Sequence, residues 1–362
     1  MTYDVIVLGV GGVGSAALFH LARRGARVLG IDRFRPGHDK GSSHGLTRMI
    51  RMAYFEHPDY VPLLRRAYGL WADLEAEHGS RLYRETGVVL VGPPDGEIVP
   101  GALRSAREHG LPVEQVERID GLSWPAGMRA VHEQRAGLLA VEECVRAHAA
   151  LSRAEIRQAE VRSWRVEGGG VVVETDAGPL RAARLVLCPG AWAGRERGVR
   201  VLRKSMSWYA APHHGHLPAF LFELEHGVFY GFPSVDAFGV KVAEHSGGRP
   251  VDDPLAVDRT IDPAEQARLQ AFLSAHVPGV SRRLTRHETC LYTMTPDGHF
   301  LVGPHPRHPQ VALAAGLSGH GFKFAPVLGE ILADLALEGS TRHPIEFLAP
   351  GRALRARSGG WE

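Results

Sequence analysis

The sequence predicts an α/β fold in two parts: a Rossmann-like domain assembled from discontinuous segments, and a second, mainly antiparallel β-sheet domain set into it. Three observations carry this. The chain opens on a strand, a helix and a second strand. Parallel-type α/β elements return only much later, near residues 184–192 and 311–337. Antiparallel-type strands fill the gaps. The expected division is 1–82, 138–200 and 292–362 for the first domain, and 83–137 and 201–291 for the second.

Residues 3–9, YDVIVLG, are an apolar, β-branched run ending in glycine, which predicts a buried strand. Residues 12–24 repeat apolar positions at helical spacing and stop at Gly25. Residues 27–31 form a second buried strand ended by Asp32, which completes a βαβ opening. A polar loop is expected over 33–47, then a helix from about 60 to 77. Short strands are expected near 87–91, 129–133, 157–165 and 171–175, and a buried one at 184–188. From 201 to 245 strand follows strand: VLRKSMSWYA, AFLFEL, VFYGFP and FGVKVAEH. A helix at about 263–276 and a strand at 284–292 come next. A last buried strand, 311–315, leads through the loop GLSGHGFKF into a final helix at about 326–337.

Composition narrows the function. At roughly 150 residues per domain, 362 residues make between two and three domain lengths. With 44% apolar and 23% charged residues the chain reads as an ordinary globular protein. No apolar run reaches the roughly 18 residues of a membrane helix, and the first residues read as a strand, not a secretory signal. A net charge of +2 offers no footprint for nucleic acid or a membrane surface. Three scattered cysteines, Cys144, Cys188 and Cys290, argue against a disulfide framework or a cysteine zinc site and suit a reducing cytoplasm. His213, His214 and His216 read as a solvated loop, and no metal is expected. Of 42 basic residues only four are lysines, Lys40, Lys204, Lys241 and Lys323, which makes each of them worth reading.

Gly9, Gly11 and Gly14 form G-x-G-x-x-G between the first strand and the first helix, with Asp32 following the second strand. The first glycine makes the turn, the second lets the backbone approach a pyrophosphate, and the third lets helix and strand pack closely. The helix N-terminus then faces phosphate, and Asp32 faces ribose hydroxyls. The motif does not separate FAD from NAD. The discontinuity of the domain, completed by the C-terminal GLSGHGF segment, points toward FAD.

At 41–51 (GSSHGLTRMIR), 230–245 (YGFPSVDAFGVKVAEH), 288–300 (ETCLYTMTPDGHF) and 316–324 (GLSGHGFKF) the chain resembles the monomeric sarcosine oxidase and N-methyltryptophan oxidase family, FAD-dependent amine oxidoreductases of the D-amino-acid-oxidase-like class. The likeness runs from about residue 3 to about residue 345. It departs at Ser43, where a second histidine is common, and at Gly298 and Gly303, where acids are common. The resemblance implies FAD linked through its 8α-methyl group to Cys290. It also implies oxidation of a small secondary amino acid such as sarcosine by O2, to an imine and then amino acid plus formaldehyde, with H2O2.

The same resemblance assigns roles. Lys241, on an alternating strand and facing opposite to Val240 and Val242, matches the lysine that activates O2; the plain alternative is a solvent-facing strand lysine. Arg51 and Lys323 match a clamp for the substrate carboxylate. Arg48, three residues before Arg51 and able to share a face with it on a helical turn, would lie near the flavin. His245, Tyr230, Tyr292, Tyr54 and Tyr60 match pocket positions. Cofactor contacts are expected from Gly12, Val13, Arg33, Ser42, Ser43, His44, Thr47, Val161 and Gly321 besides the fingerprint. Gly319 and His320 would open the final helix beside the flavin pyrimidine ring.

Two other classes compete. A dehydrogenase would pass electrons to a carrier other than O2. A flavin-bound non-catalytic protein would keep the fingerprint without needing the clamp. Within the oxidase class, a bulkier N-methyl amino acid such as N-methyl-L-tryptophan or a cyclic imino acid is the alternative substrate. The expected partners are a small amino acid and O2, with no nucleic acid and no membrane, and the chain is expected to act as a cytoplasmic monomer.

Overall fold

The structure is a computed structural model that describes residues 2–194 and 198–352. Residues 195–197 and 353–362, parts of the segments assigned above to the first domain, and Met1 lie outside the described residues.

Five parallel strands form the centre of the first sheet, in the order Glu155–Gln158, Val28–Asp32, Tyr3–Leu8, Gly178–Leu187, His308–Ala315. Central strands buried on both faces need continuous apolar runs, and Val5, Ile6, Val7, Leu185 and Val186 are fully buried. Leu301–His305 adds an antiparallel edge. The hairpin Val161–Glu167 and Gly170–Thr175 pairs with the first half of Gly178–Leu187. The stretch expected as one strand at 157–165 is thus two. A break at Ala159–Glu160 separates a parallel edge strand from an antiparallel one.

Helices Gly12–Arg23, Val141–Ser152 and Ala325–Glu338 pack together in one apolar core. The approach of the first and last is close: a Cβ on Gly329 would lie 2.5 Å from the Ala16 backbone. Val141–Ser152, and Ile98–His109 elsewhere, were not expected. Neither helix carries a side-chain cap, since Ala140 and Glu97 precede them, so the usual start signal is missing.

The second sheet runs Arg249–Val251, Arg200–Tyr209, Val240–Glu244, Gly227–Phe232, Ala219–Leu224, Val88–Gly92, Arg129–Glu133, Glu114–Gln115, with Leu284–Met294 along the other side of Arg200–Tyr209. Its pairs are antiparallel except Ala219–Leu224 with Val88–Gly92. Alternation sorts its two faces. Val240, Val242, Phe222 and Phe229 face helix Pro263–His276, whose Leu269, Phe272 and Leu273 cover them. That helix starts where Asp262 accepts from Ala264 N and Glu265 N. Residues directly opposite each other share a face. The other face therefore carries Lys241 beside Trp208 and Phe232, Tyr230 beside Leu221 and Ala243, Lys204 beside Cys290, and Leu202 beside Tyr292.

A third, small sheet joins Thr47–Ile50, Gly137–Ala140 and Tyr83–Glu85. It corrects the reading of Arg48 and Arg51. Arg48 is on a strand opposite Leu139, not on a helical turn. Arg51 lies one residue beyond the end of that strand. The final helix, Ala325–Glu338, falls where 326–337 was expected. Ser318 and Gly319 have φ of 47° and 81°, a 3-10 turn covers Phe322–Phe324, and the α-helix starts at Ala325. Gly319 and His320 therefore precede the helix and do not open it. Among the described residues no helix is long and apolar enough to cross a membrane.

Candidate active site

A cavity of about 1040 Å³ joins the ends of the parallel strands to the inward face of the second sheet. Its wall includes Gly9, Gly11, Gly12, Val13, Gly14, Asp32, Arg33, Ser42, Ser43, Arg48 and Val161. It continues through Arg51, Tyr230, His245, Cys290, Tyr292, Gly319, His320, Gly321 and Lys323. Ligand sites in open parallel sheets lie outside the carboxyl ends of the strands, which is where this cavity starts.

The three fingerprint glycines have separate reasons. Gly9 has φ of 87°, and a Cβ on it would lie 2.1 Å from the Cys188 carbonyl oxygen. A Cβ on Gly14 would lie 1.7 Å from the Gly9 oxygen. At Gly11 the nearest atom would be Ser43 Oγ at 3.8 Å, so that backbone lies open to the cavity. Gly12 N donates to Ser43 Oγ at 3.1 Å, which ties the loop 41–47 to the helix N-terminus. Asp32 accepts from Val10 N (2.7 Å) and Phe34 N (2.8 Å), so its carboxylate is fixed at the cavity edge. Arg33 pairs with Glu160 at 2.6 Å.

Cys290 is buried, and its Sγ lies 3.2 Å from Arg48 Nη2. The same guanidinium donates to the carbonyls of Thr47 and Ser42, both at 2.9 Å. Ser42 Oγ donates to Leu291 O at 2.6 Å. The other two cysteines differ in place. Cys144 is in the helix core, and Cys188 lies under the fingerprint.

Lys241 is 1% exposed, which rules out a solvent-facing lysine. Its ammonium donates to Gly45 O (2.7 Å) and Thr47 O (2.9 Å) and lies 5.0–5.1 Å from the rings of Phe232 and Trp208. Burial, with Arg48 nearby, pushes its pKa well below the usual lysine value. Lys241, Thr47 and His44 are not part of the cavity wall; they stand one layer behind it. His44 Nδ1 bonds Glu288 at 2.9 Å, and its buried Nε2 has no partner.

Of the two residues expected to form a clamp, Arg51 is already occupied. Its Nη2 donates to both oxygens of Glu56, at 2.8 and 2.7 Å, and Nη1 donates to Ala53 O at 2.9 Å. The guanidinium lies between the rings of Tyr54 and Phe55, 4.5 and 4.3 Å away. Burial would raise the Glu56 carboxyl, but Arg51, His320 and Lys323 outweigh it and hold it at about 2. Sequence reading missed Glu56. Its only signal was an acid five residues after an arginine, which is common on any surface. Lys323 Nζ donates to His320 O at 2.8 Å; burial and Arg51 push its pKa down to about 7.

The remaining candidates separate. His245 Nδ1 and Tyr292 OH are 3.2 Å apart, and both rings line the cavity with Tyr230. Burial and the Lys204 charge hold His245 at about 3, so its ring is neutral. Tyr54 is fully buried behind the wall, with its hydroxyl on His320 Nδ1. Tyr60 is likewise a core residue, its hydroxyl 3.2 Å from His299 Nδ1. Neither touches the cavity. His320 completes its bonding at Gly298 O, 3.0 Å from Nε2.

The model of a family described as FAD dependent oxidoreductase matches residues 4–335. A monomeric sarcosine oxidase of Streptomyces avermitilis is 42% identical, over 98% of this chain and 99% of its own length. An N-methyl-L-tryptophan oxidase of Salmonella arizonae is 35% identical, over 98% and 99%. Among solved structures, a variant of NikD, described as an unusual amino acid oxidase essential for nikkomycin biosynthesis, is similar with a TM-score of 0.86. It is 26% identical, over 96% of this chain and 97% of that one.

The lowered Lys323 pKa gives a signed prediction. Below about 7 the ammonium is charged, and an anion held by it together with Arg51 would be bound more tightly; above it that charge is lost. Acetate affinity should fall by up to about tenfold per pH unit above 7, until the bound-state pKa is passed. Titrating the flavin-loaded protein with acetate across this range, by absorbance, reads the slope. Lys323→Met should flatten it. A flat wild-type profile would show that Lys323 does not hold the anion.

Proposed function

The chain belongs to the FAD dependent oxidoreductase family, and from that premise we propose that it is an oxidase of a small secondary amino acid, sarcosine or a close N-methyl relative. In the net reaction the amine, O2 and water become the demethylated amino acid, formaldehyde and H2O2. One observation carries the reading. A single cavity runs from a dinucleotide fingerprint, past Cys290, to a buried arginine and lysine suited to one carboxylate.

The residues present fit FAD. The backbone at Gly11 is open for a pyrophosphate, Gly12, Val13 and Gly14 present the helix N-terminus, and Asp32 waits at the ribose position. FAD supplies the two-electron acceptor for the amine and the donor to O2; the protein supplies binding, orientation and charge. The substrate carboxylate takes the Arg51 fork, and Glu56 has to yield it. Lys323 adds a point charge. Tyr230, Tyr292 and neutral His245 wall the amine end. Cations around the cavity disfavour the ammonium form of the substrate, so the reactive neutral amine needs no dedicated base. The name of the monomeric sarcosine oxidase relative supports a monomer, which we place in the cytoplasm.

The test is peroxide formation in a panel of sarcosine, N-methyl-L-tryptophan, proline and dimethylamine. Sarcosine should be oxidised best. Dimethylamine, which has no carboxylate, should lose at least about ten- to a hundredfold in kcat/KM, since one charge-assisted contact contributes about 1.5–3 kcal/mol. Comparable rates for the two would remove the clamp from the mechanism. Amine-dependent flavin bleaching without peroxide would make it a dehydrogenase.

Cys290 is our assignment for a thioether to the flavin 8α carbon. Support comes from its place in the wall and from the loop 42–48 held against it, where Arg48 Nη2 lies 3.2 Å from the sulfur. Acid precipitation should leave a yellow pellet, and Cys290→Ser should release the colour. Colour in the wild-type supernatant would refute the linkage.

Lys241 is assigned to the O2 half-reaction. An anion formed from O2 in a partly dry site is stabilised by a fixed nearby ammonium far more than in water. Lys241→Met should leave anaerobic reduction within about tenfold and slow reoxidation by several powers of ten. Stopped-flow traces of the two half-reactions separate these rates, and wild-type reoxidation in the variant would end the assignment.

A further inference from the structure

Three of the four lysines are buried, and one of these, Lys204, has no part in the site as described so far. It is 4% exposed. Its ammonium donates to three consecutive carbonyls, His245 O (2.7 Å), Ser246 O (2.6 Å) and Gly247 O (2.6 Å). No carboxylate forms an ion pair with it among the described residues. Carbonyl dipoles and the face of the Tyr292 ring, 5.1 Å from Nζ, answer its charge.

The turn is shaped for this contact. Gly247 and Gly248 have φ of 62° and 112°, which curls the chain after strand Val240–Glu244 so that its carbonyls converge. A Cβ on Gly248 would lie 3.1 Å from Lys204 Cε. Three oxygens around one point need a tetrahedral donor. The flat fork of arginine spreads its N–H groups in a plane and cannot meet them, which explains a lysine here in a chain that otherwise uses arginine. His245 is also fixed at its other end, where its N donates to Val228 O at 2.7 Å. Its ring reaches Tyr292, the residue whose face Lys204 covers. Lys204 therefore touches both members of the pair that walls the cavity, one through its backbone and one through its ring.

We propose that Lys204 is a positioning residue that holds the His245–Tyr292 pair against the substrate through its clamp on three carbonyls. The proposal rests on the reading that this pair lines the substrate end.

The test uses flavin-loaded wild type, Lys204→Met, Lys204→Arg, Lys204→Gln, His245→Ala and the Lys204→Met/His245→Ala double variant. The readouts are KM and kcat for sarcosine and the His245 imidazole signal in protein carrying 15N-labelled histidine, assigned from its loss in His245→Ala. Lys204→Met and Lys204→Arg should raise KM about tenfold with kcat within about threefold, and should shift the His245 signal. Lys204→Gln, with two donors, should fall between and serves if the methionine variant does not fold. Adding Lys204→Met to His245→Ala should change KM less than twofold, because residues acting through one another are not additive. An unmoved His245 signal, a wild-type KM in Lys204→Met, or effects that multiply independently would overturn the proposal. If His245→Ala itself leaves KM unchanged while Lys204→Met moves the signal, the clamp stands as a fold contact. The reading of the substrate wall then falls, and with it the role of Lys204 in binding.

Discussion

The loop from Ser42 to Arg48 is held from two sides by opposite charges, a buried ammonium and a half-buried carboxylate, and the site depends on that grip. Glu142, in the first turn of helix Val141–Ser152, accepts from Gly45 N (2.7 Å) and Leu46 N (3.1 Å). Lys241, from the second sheet, donates to Gly45 O and Thr47 O. Gly45 and Leu46 have φ of 92° and 65°, a reversal that aims N–H groups one way and carbonyls the other. A left-handed leucine is strained and persists only where surroundings enforce it. Here a carboxylate and an ammonium enforce it. The reversal places Ser43 at the fingerprint and His44 on Glu288, and it leads into the strand that carries Arg48 to Cys290. Lys241 thus has a structural duty as well as the one assigned to it in oxygen chemistry. Removing its charge takes one donor from each of two buried carbonyls, which keep Thr47 N at Gly45 O and Arg48 Nη1 at Thr47 O.

What was legible in the sequence was what is local. Gly9, Gly11, Gly14 and Asp32 lie within one strand–helix–strand unit, so their spacing alone reports the geometry. Helix Pro263–His276 announced itself through Asp262 and a proline in the first turn. Helix Val141–Ser152 did not, because Ala140 caps nothing with its side chain. The short strand Thr47–Ile50 is one of the elements that exist only because another segment pairs with them. Gly137–Ala140 supplies its partner from far along the chain, and a four-residue strand has no periodicity strong enough to show.

The site divides the same way. Arg51 and Lys323 were singled out through the family resemblance, but Glu56, which occupies the arginine, gave no sign. Its importance is burial, and burial is a tertiary property. Tyr54 and Tyr60 looked like pocket tyrosines and are core ones, packed edge-on and tilted against Phe324 and hydrogen-bonded to His320 and His299. A tyrosine buries a large apolar ring and needs only one partner for its hydroxyl, so wall and core use it equally well.

The cation choice at this site follows from the geometry each position demands. Arg48 and Arg51 meet spread acceptors, two carbonyls and a thiol in one case, a carboxylate and a carbonyl in the other. Lys204 and Lys241 meet converging backbone carbonyls, and Lys323 meets a single one. Around them Glu56 balances Arg51, Glu142 is spent on the loop, and Glu288 is already shared by His44 and Arg286. The inward face therefore holds more buried positive charge than nearby carboxylates neutralise. Burial lowers the pKa of each of these lysines. Such an excess is costly in an empty cavity and is relieved when anionic groups enter it. A carboxylate at Arg51 and Lys323, as the proposed chemistry requires, would supply one such charge at the substrate end.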